Sequence, residues 1–220
     1  RPAIDFKLLP PGVDNSAIAA LTGKLWKVGR TLRVMFMDGD PIVQQRIQPF
    51  AHIWSQYANI TFQFVPGPKA DIRIAFDPKG GSWSYLGLQS TFFWFANKPS
   101  MNYGWLTPTT PEQEYRRVVL HEFGHALGLV HEHLSPSATI PWNEQKVIDY
   151  FKRTNNWSPE QTRAQVLTHT QANRFTPFDR DSIMLYFFPA ELTTDGSSTP
   201  NNTELSATDK QFIAQLYPKQ

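Results

Sequence analysis

Four of the chain's six histidines fall in one short run, HEFGHALGLVHEH at 121–133. His121 and His125 are four apart, so on a helix both project from one face. Two imidazoles there can reach one ion at about 2.0–2.1 Å. His131 can be the third donor only if the helix stops, because on a continued helix it would lie about 15 Å beyond His121. Gly128 stands where the chain must turn, and glycine tolerates a positive φ at low cost. Three neutral imidazoles leave the fourth zinc position open to water, which is the arrangement of a catalytic rather than a structural site. Glu122 projects about 100° around the helix from His121 and can reach that water without binding the ion. Zinc brings the water's pKa to about 7. A carboxylate beside it can take the proton and pass it to a departing amine. The chemistry is amide hydrolysis. His133 could compete with His131; His131 is favoured, and His133 is read as a neighbour of the site or a surface residue. His52 and His169 are read as ordinary packing or surface histidines.

The element that must carry these groups is TPEQEYRRVVLHEFGHALG. Thr110 is the expected N-cap, Pro111 fits the first helical position and Gln113 completes a capping box. Glu112 and Glu114 suit the positive end of the helix dipole, and Gly128 is the stop. Upstream, 31–37 alternates as a strand. Asp40 and Pro41 then open a helix with Ile42, Val43, Ile47, Phe50, Ile53, Trp54 and Tyr57 at helical spacing. Pro49 is expected to kink that helix or end its first part. Residues 60–65 and 71–76 alternate again, with Ile72, Ile74 and Phe76 on one face. The stretch 82–87 reads as a short polar-aromatic strand. Strand, helix, strand, strand makes the first half a sheet covered by a helix. Ser158 and Ser206 open two further helices, and the rest of the second half reads as loop.

Whole-chain properties narrow the field. A chain of 220 residues with 18 prolines suits one compact domain, with two lobes around one cleft as a possible form. Net charge is +2 and no Lys/Arg run stands out, so neither a nucleic-acid nor a membrane partner is expected. The absence of cysteine excludes disulfides and thiolate metal sites. No apolar run approaches membrane-spanning length. The first residue is Arg1, and a signal peptide is expected to have been removed already.

The long histidine motif resembles that of the metzincin zinc peptidases, which also carry a Met-turn downstream. SIMLY at 182–186 fits that turn, with Met184 below the metal and Tyr186 two residues on. Within metzincins the chain looks most like the astacins: Glu132 follows the third histidine, GSWSYLG (81–87) is similar to their edge strand, and LSATDKQFIAQLY (205–217) to their closing helix. The serralysin branch is the nearest competitor, but its glycine-rich calcium repeats are missing. The resemblance implies an α+β metzincin (zincin-like) fold. Its upper lobe, about 26–130, holds a twisted mixed sheet and two long helices. Its lower lobe, about 131–220, is mostly irregular, with the Met-turn and a terminal helix. Residues 1–25 form an N-terminal arm.

It further implies one Zn2+ on His121, His125 and His131, with Glu122 as general base and acid. Tyr186 would be a further ligand at rest that swings to support the oxyanion. Gly128, Met184 and Glu132 would be structural residues near the site. A polypeptide substrate would bind extended along Trp83, Ser84, Tyr85, Leu86 and Gly87, by adding a strand to the sheet edge. Phe187 and Phe188 would form an apolar wall for the side chain after the scissile bond. Astacins hold disulfides, which this chain cannot make. Some 25 residues precede Trp26, longer than a buried mature amino terminus would require, so Glu132 is left an Arg, a Lys or a backbone amide as partner. The aromatic stretch 91–105 is read as core and sheet packing, or else as a lining of the cleft. The expected protein is a secreted, monomeric zinc endopeptidase. The rival reading is a catalytically silent module of the same fold that binds peptide.

Overall fold

The structure, a computed structural model, describes residues 23–67, 69–91, 98–170 and 174–219. Most of the N-terminal arm, and 92–97 within the aromatic stretch, lie outside the described residues.

Strand β1 (Thr31–Phe36) lies in parallel between β2 (Thr61–Phe64) and β3 (Ile72–Ala75). Parallel neighbours need a crossover, and α1 (Pro41–Ser55) supplies the one between β1 and β2. Two short strands, β4 (Trp83–Ser84) and β5 (Met101–Asn102), complete the mixed sheet in the order β2-β1-β3-β5-β4, with only β4–β5 antiparallel. Asp40 caps α1 by accepting from the Ile42 amide, as its position before Pro41 suggests. Of the two outcomes expected at Pro49, the helix does not end there: α1 runs on past it. Pro49 and Gln45, whose carbonyl loses its helical donor, are both exposed, so water can replace the missing bond.

Alternation fails on β3, where both faces are covered. Arg73 is buried with its neighbours and donates to the carbonyls of Lys98 at 2.6 Å, Ser90 at 2.7 Å and Ala70 at 3.2 Å. A buried guanidinium is tolerated because those oxygens replace water.

Helix α2 (Glu112–Ala126) packs across α1 and against β4. Its start differs from the expected one. Pro111, extended at φ −56° and ψ 145°, is the N-cap, and no side chain caps the helix. The Thr110 hydroxyl instead accepts from the Thr107 amide at 2.9 Å, inside the preceding turn. Threonine side chains readily make such local bonds in place of capping.

The second half holds a helix where loop was expected, α3 (Glu144–Asn155). Asn143 caps its start, and Asn156 ends it at φ 55°. Its buried stripe is only Val147, Ile148 and Phe151, too sparse to stand out among polar residues. A short α4 (Pro159–Thr162), with the expected Ser158 capping box, runs into a π-helical stretch at Arg163–Leu167. The closing α5 (Ala207–Leu216) is capped by Ser206 as expected.

Two cores result. The larger joins the sheet, α1 and α2 with Ile183, Met184, Leu205 and the closing residues Ile213, Leu216 and Tyr217. The terminal helix, expected with the lower lobe, thus packs into the core of the upper one. The smaller core gathers Val147, Phe151 and Val166 around Tyr186 and Phe188. Among the described residues no helix is long and apolar enough to cross a membrane.

Candidate metal centre

The turn after α2 makes the site. Gly128 adopts φ +95°, a conformation that side-chain-bearing residues rarely reach. The Gly128 amide donates to the His125 carbonyl at 2.7 Å, and the Leu129 amide to the Gly124 carbonyl at 3.0 Å. This pair of bonds is a Schellman ending. The reversed chain returns His131 to the helix, and the ligand nitrogens of His121, His125 and His131 all come within 4.8 Å of one another.

All three rings are buried. His121 Nδ1 lies 2.8 Å from the Ile183 carbonyl, and His125 Nδ1 lies 2.7 Å from the Leu129 carbonyl. A carbonyl only accepts, so both Nδ1 atoms carry the proton and both Nε2 atoms keep their lone pairs for the interior. His121 Nε2 has no hydrogen-bond partner among the described residues, and His125 Nε2 stands 2.9 Å from His131 Nε2. Burial drives the basicity of all three rings down, that of His125 to about 4. Neutral, buried, convergent imidazoles, one of them with a ring nitrogen that no described residue hydrogen-bonds, are the donor set of a tetrahedral zinc ion with an open position. The residues fit the metal.

Glu122 is buried beside them, and its Oε2 has no partner among the described residues. Burial raises its pKa to about 8, against the opposing pull of Arg117. A neighbouring dication would favour the carboxylate again. The Tyr186 ring centre stands 4.4 Å from that of His131 and 5.0 Å from that of His121. Met184 lies under the helix at Gly124, where a β-carbon would fall 2.5 Å from its sulfur.

The Met-turn works through its backbone as well. The Ile183 carbonyl holds His121, and the Met184 carbonyl accepts from the Glu132 amide at 3.0 Å. Asp209, which sequence reading passed over as a site residue, fixes this turn. Its carboxylate accepts from the Ser182 hydroxyl at 2.7 Å and the Ile183 amide at 2.8 Å. The only trace of that role in the sequence is its place in the Ser206 capping box. Of the partners left open for Glu132, the structure has a backbone amide, that of Asp179 at 2.9 Å. His133 stands outside the group of three and is fully buried, with Nε2 3.1 Å from the Gln165 carbonyl. It is therefore a neighbour of the site and not a surface residue.

The expected substrate residues divide. Trp83 and Ser84 form the edge strand, and the Tyr85 amide extends the pairing to the Ser100 carbonyl at 2.9 Å. Leu86 and Gly87 do not continue it: the chain turns there into a 3-10 helix at Gly87–Thr91, and the Gln89 side chain takes the Leu86 amide. Phe187 is 55% exposed, whereas Phe188 is buried in the smaller core against His133 and Trp142. Phe188 therefore backs the site and does not form an open wall.

Residues 39–156, just over half the chain, match the matrixin (peptidase M10) family model. Myroilysin has a solved structure that superposes with a TM-score of 0.85 at 40% identity, covering 90% of this chain and 97% of that one. High choriolytic enzyme 1, a hatching enzyme zinc-protease from Oryzias latipes, superposes with a TM-score of 0.60 at 17% identity over 90% of this chain and 96% of that one, a likeness of fold alone. Zinc metalloproteinase nas-24 of Caenorhabditis elegans is 25% identical over 166 residues, 74% of this chain. The chain spans 36% or less of the length of the curated relatives it matches. The expected metzincin fold is the one observed, and an astacin-like reading fits these neighbours. Because that family model covers more than half of it, the chain belongs to the matrixin-type metzincin peptidases.

Proposed function

We propose that this chain is a zinc endopeptidase. The observation that carries the reading is the buried trio His121, His125 and His131, with the unpartnered Oε2 of Glu122 beside it. The three histidines would hold one zinc ion, kept neutral by burial and oriented through Ile183 and Leu129. When bound, that ion supplies Lewis-acid polarisation of the scissile carbonyl and a water acidified to about 7. Glu122 takes a proton from the attacking water and hands it to the departing amine. The Tyr186 phenol donates to the carbonyl oxygen as negative charge grows on it.

The substrate is an extended polypeptide pairing with β4 along Trp83–Tyr85, while Leu86 and Gly87 shape the end of that edge. Phe187 offers the apolar contact after the scissile bond, and Phe188 supports it from behind. The catalytic unit covers 26–220, with the cleft between about 26–130, joined by the closing helix α5, and the remainder of about 131–220. It acts outside the cell as a monomer.

Glu122→Gln separates this from the silent-module reading. The substitution keeps shape and removes the base. Zinc content should stay at one per chain, while hydrolysis of a denatured protein mixture, seen as new termini by mass spectrometry, falls by about 100-fold or more. A wild-type protein that loads zinc yet cuts nothing would favour the silent module.

A further inference from the structure

The last carbonyls of α2 can be accounted for one by one. The Leu127 amide bonds the Phe123 carbonyl, the Leu129 amide that of Gly124 and the Gly128 amide that of His125. Those of Ala126 and Leu127 remain, and both residues are fully buried. Among the described residues neither accepts from a backbone amide. The Trp26 indole donates to the Ala126 carbonyl at 2.7 Å, and the Tyr217 hydroxyl donates to the Leu127 carbonyl at 2.7 Å. The two donors are themselves joined, because the Trp26 amide donates to the Tyr217 hydroxyl at 3.3 Å. Residues from near the two ends of the described chain thus meet on one helix terminus.

What that terminus carries is the second half of the metal site. Leu127 is the C-cap, Gly128 the turn, Leu129 the carbonyl that orients His125, and His131 the returning ligand. Both capping side chains are almost completely buried, and burial keeps the Tyr217 phenol protonated, hence a donor. The segment before Trp26 is anchored too: the Leu88 amide, past the end of the substrate edge, donates to the Lys24 carbonyl at 2.9 Å.

We propose that Trp26 and Tyr217 are positioning residues for the metal centre. They fix the carbonyls of Ala126 and Leu127 and so set the direction in which the chain leaves α2. That direction places His131 against His121 and His125. The inference rests on the three-histidine zinc site, which the zinc stoichiometry of the wild-type protein tests separately.

Tyr217→Phe keeps the ring and removes the donor. Tyr115→Phe is the matched control: its buried hydroxyl donates to the Thr107 carbonyl at 2.9 Å, close to the opposite end of the same helix. Zinc affinity would be measured by competition with a chromophoric chelator, and melting temperature with and without zinc. Tyr217→Phe should weaken zinc binding by about 10-fold, the scale seen when groups supporting metal ligands are lost. It should also narrow the gap between the zinc-loaded and metal-free melting temperatures. Tyr115→Phe should lower both temperatures equally and leave affinity unchanged. Trp26→Phe should behave like Tyr217→Phe. Wild-type zinc affinity in a folded Tyr217→Phe protein would overturn the proposal. So would a Tyr217→Phe chain that fails to fold even with zinc, because the hydroxyl would then serve folding and not the metal.

Discussion

At the scale of single residues, the site depends on side chains with buried polar atoms that no described residue hydrogen-bonds. His121 Nε2 and Glu122 Oε2 are buried without partners among the described residues, an arrangement that costs stability unless a ligand completes it. Their spacing could be read from the motif, because four residues on a helix put two rings on one face. The fate of His133 could not, because Tyr186 and Phe188, which pack against its ring, and the Gln165 carbonyl at its Nε2 come from distant parts of the chain. Tyr186 belongs to the same scale. Removing its hydroxyl while keeping its ring, in Tyr186→Phe, should lower kcat by about 100-fold, as for the loss of one oxyanion donor. Zinc content should stay at one ion. Steady-state kinetics with a metal assay checks this, and an unchanged kcat would remove Tyr186 from the mechanism.

Among the elements, α2 and the Met-turn are pressed together at Gly124. Two effects compete in Gly124→Ala. Alanine favours the helix by about 1 kcal/mol over glycine. The new β-carbon would sit 2.5 Å from the Met184 sulfur and 3.2 Å from the Trp54 ring, both of them buried. Overpacking of that kind costs about 1–3 kcal/mol. The clash should win, with a net loss of about 1 kcal/mol and a fall in melting temperature of about 2–4 °C for a chain this long. Calorimetry measures it, and a stabilised variant would mean that Met184 can move aside. The start of α2 and the whole of α3 were less legible than its end. Gly128 marks the stop by a local need for positive φ, whereas Thr110 had a competing local partner in Thr107 and α3 shows only a three-residue apolar stripe.

Across the whole molecule, burying the site makes metal-free stability depend on pH. His121, His125, His131 and His133 are all held below their ordinary values by burial, His125 to about 4 and His133 to about 3. Unfolded histidines titrate at about 6.5. Between those limits the unfolded chain binds protons that the folded chain refuses, so stability is lost as pH falls below about 6.5. Buried Glu122 and Glu132, raised to about 8 and about 7, act in the opposite sense, as does Asp209, also raised by burial, but they are outnumbered. Chelator-treated protein should therefore melt progressively lower from pH 6.5 to pH 4, whereas zinc, which binds only the folded site, should lift the curve near neutrality. A flat profile across that range would show that these rings are not buried neutral in the metal-free fold.

The sequence alone determined what nearest neighbours decide: two imidazoles on one helix face, the break at Gly128, the caps at Asp40, Ser158 and Ser206, and the strands with clear alternation. It also carried enough family pattern to imply the Met-turn at Met184 and Tyr186. Only the tertiary structure decided which carbonyls orient the rings, that Asp209 holds the Met-turn, that β3 is covered on both faces with Arg73 inside, and that Trp26 and Tyr217 close the end of α2. The physical reason is range. Helix periodicity and glycine's freedom act within a few residues, whereas a buried donor and its acceptor are paired by packing: 100 positions separate Trp26 from Ala126, and no local pattern records that pairing.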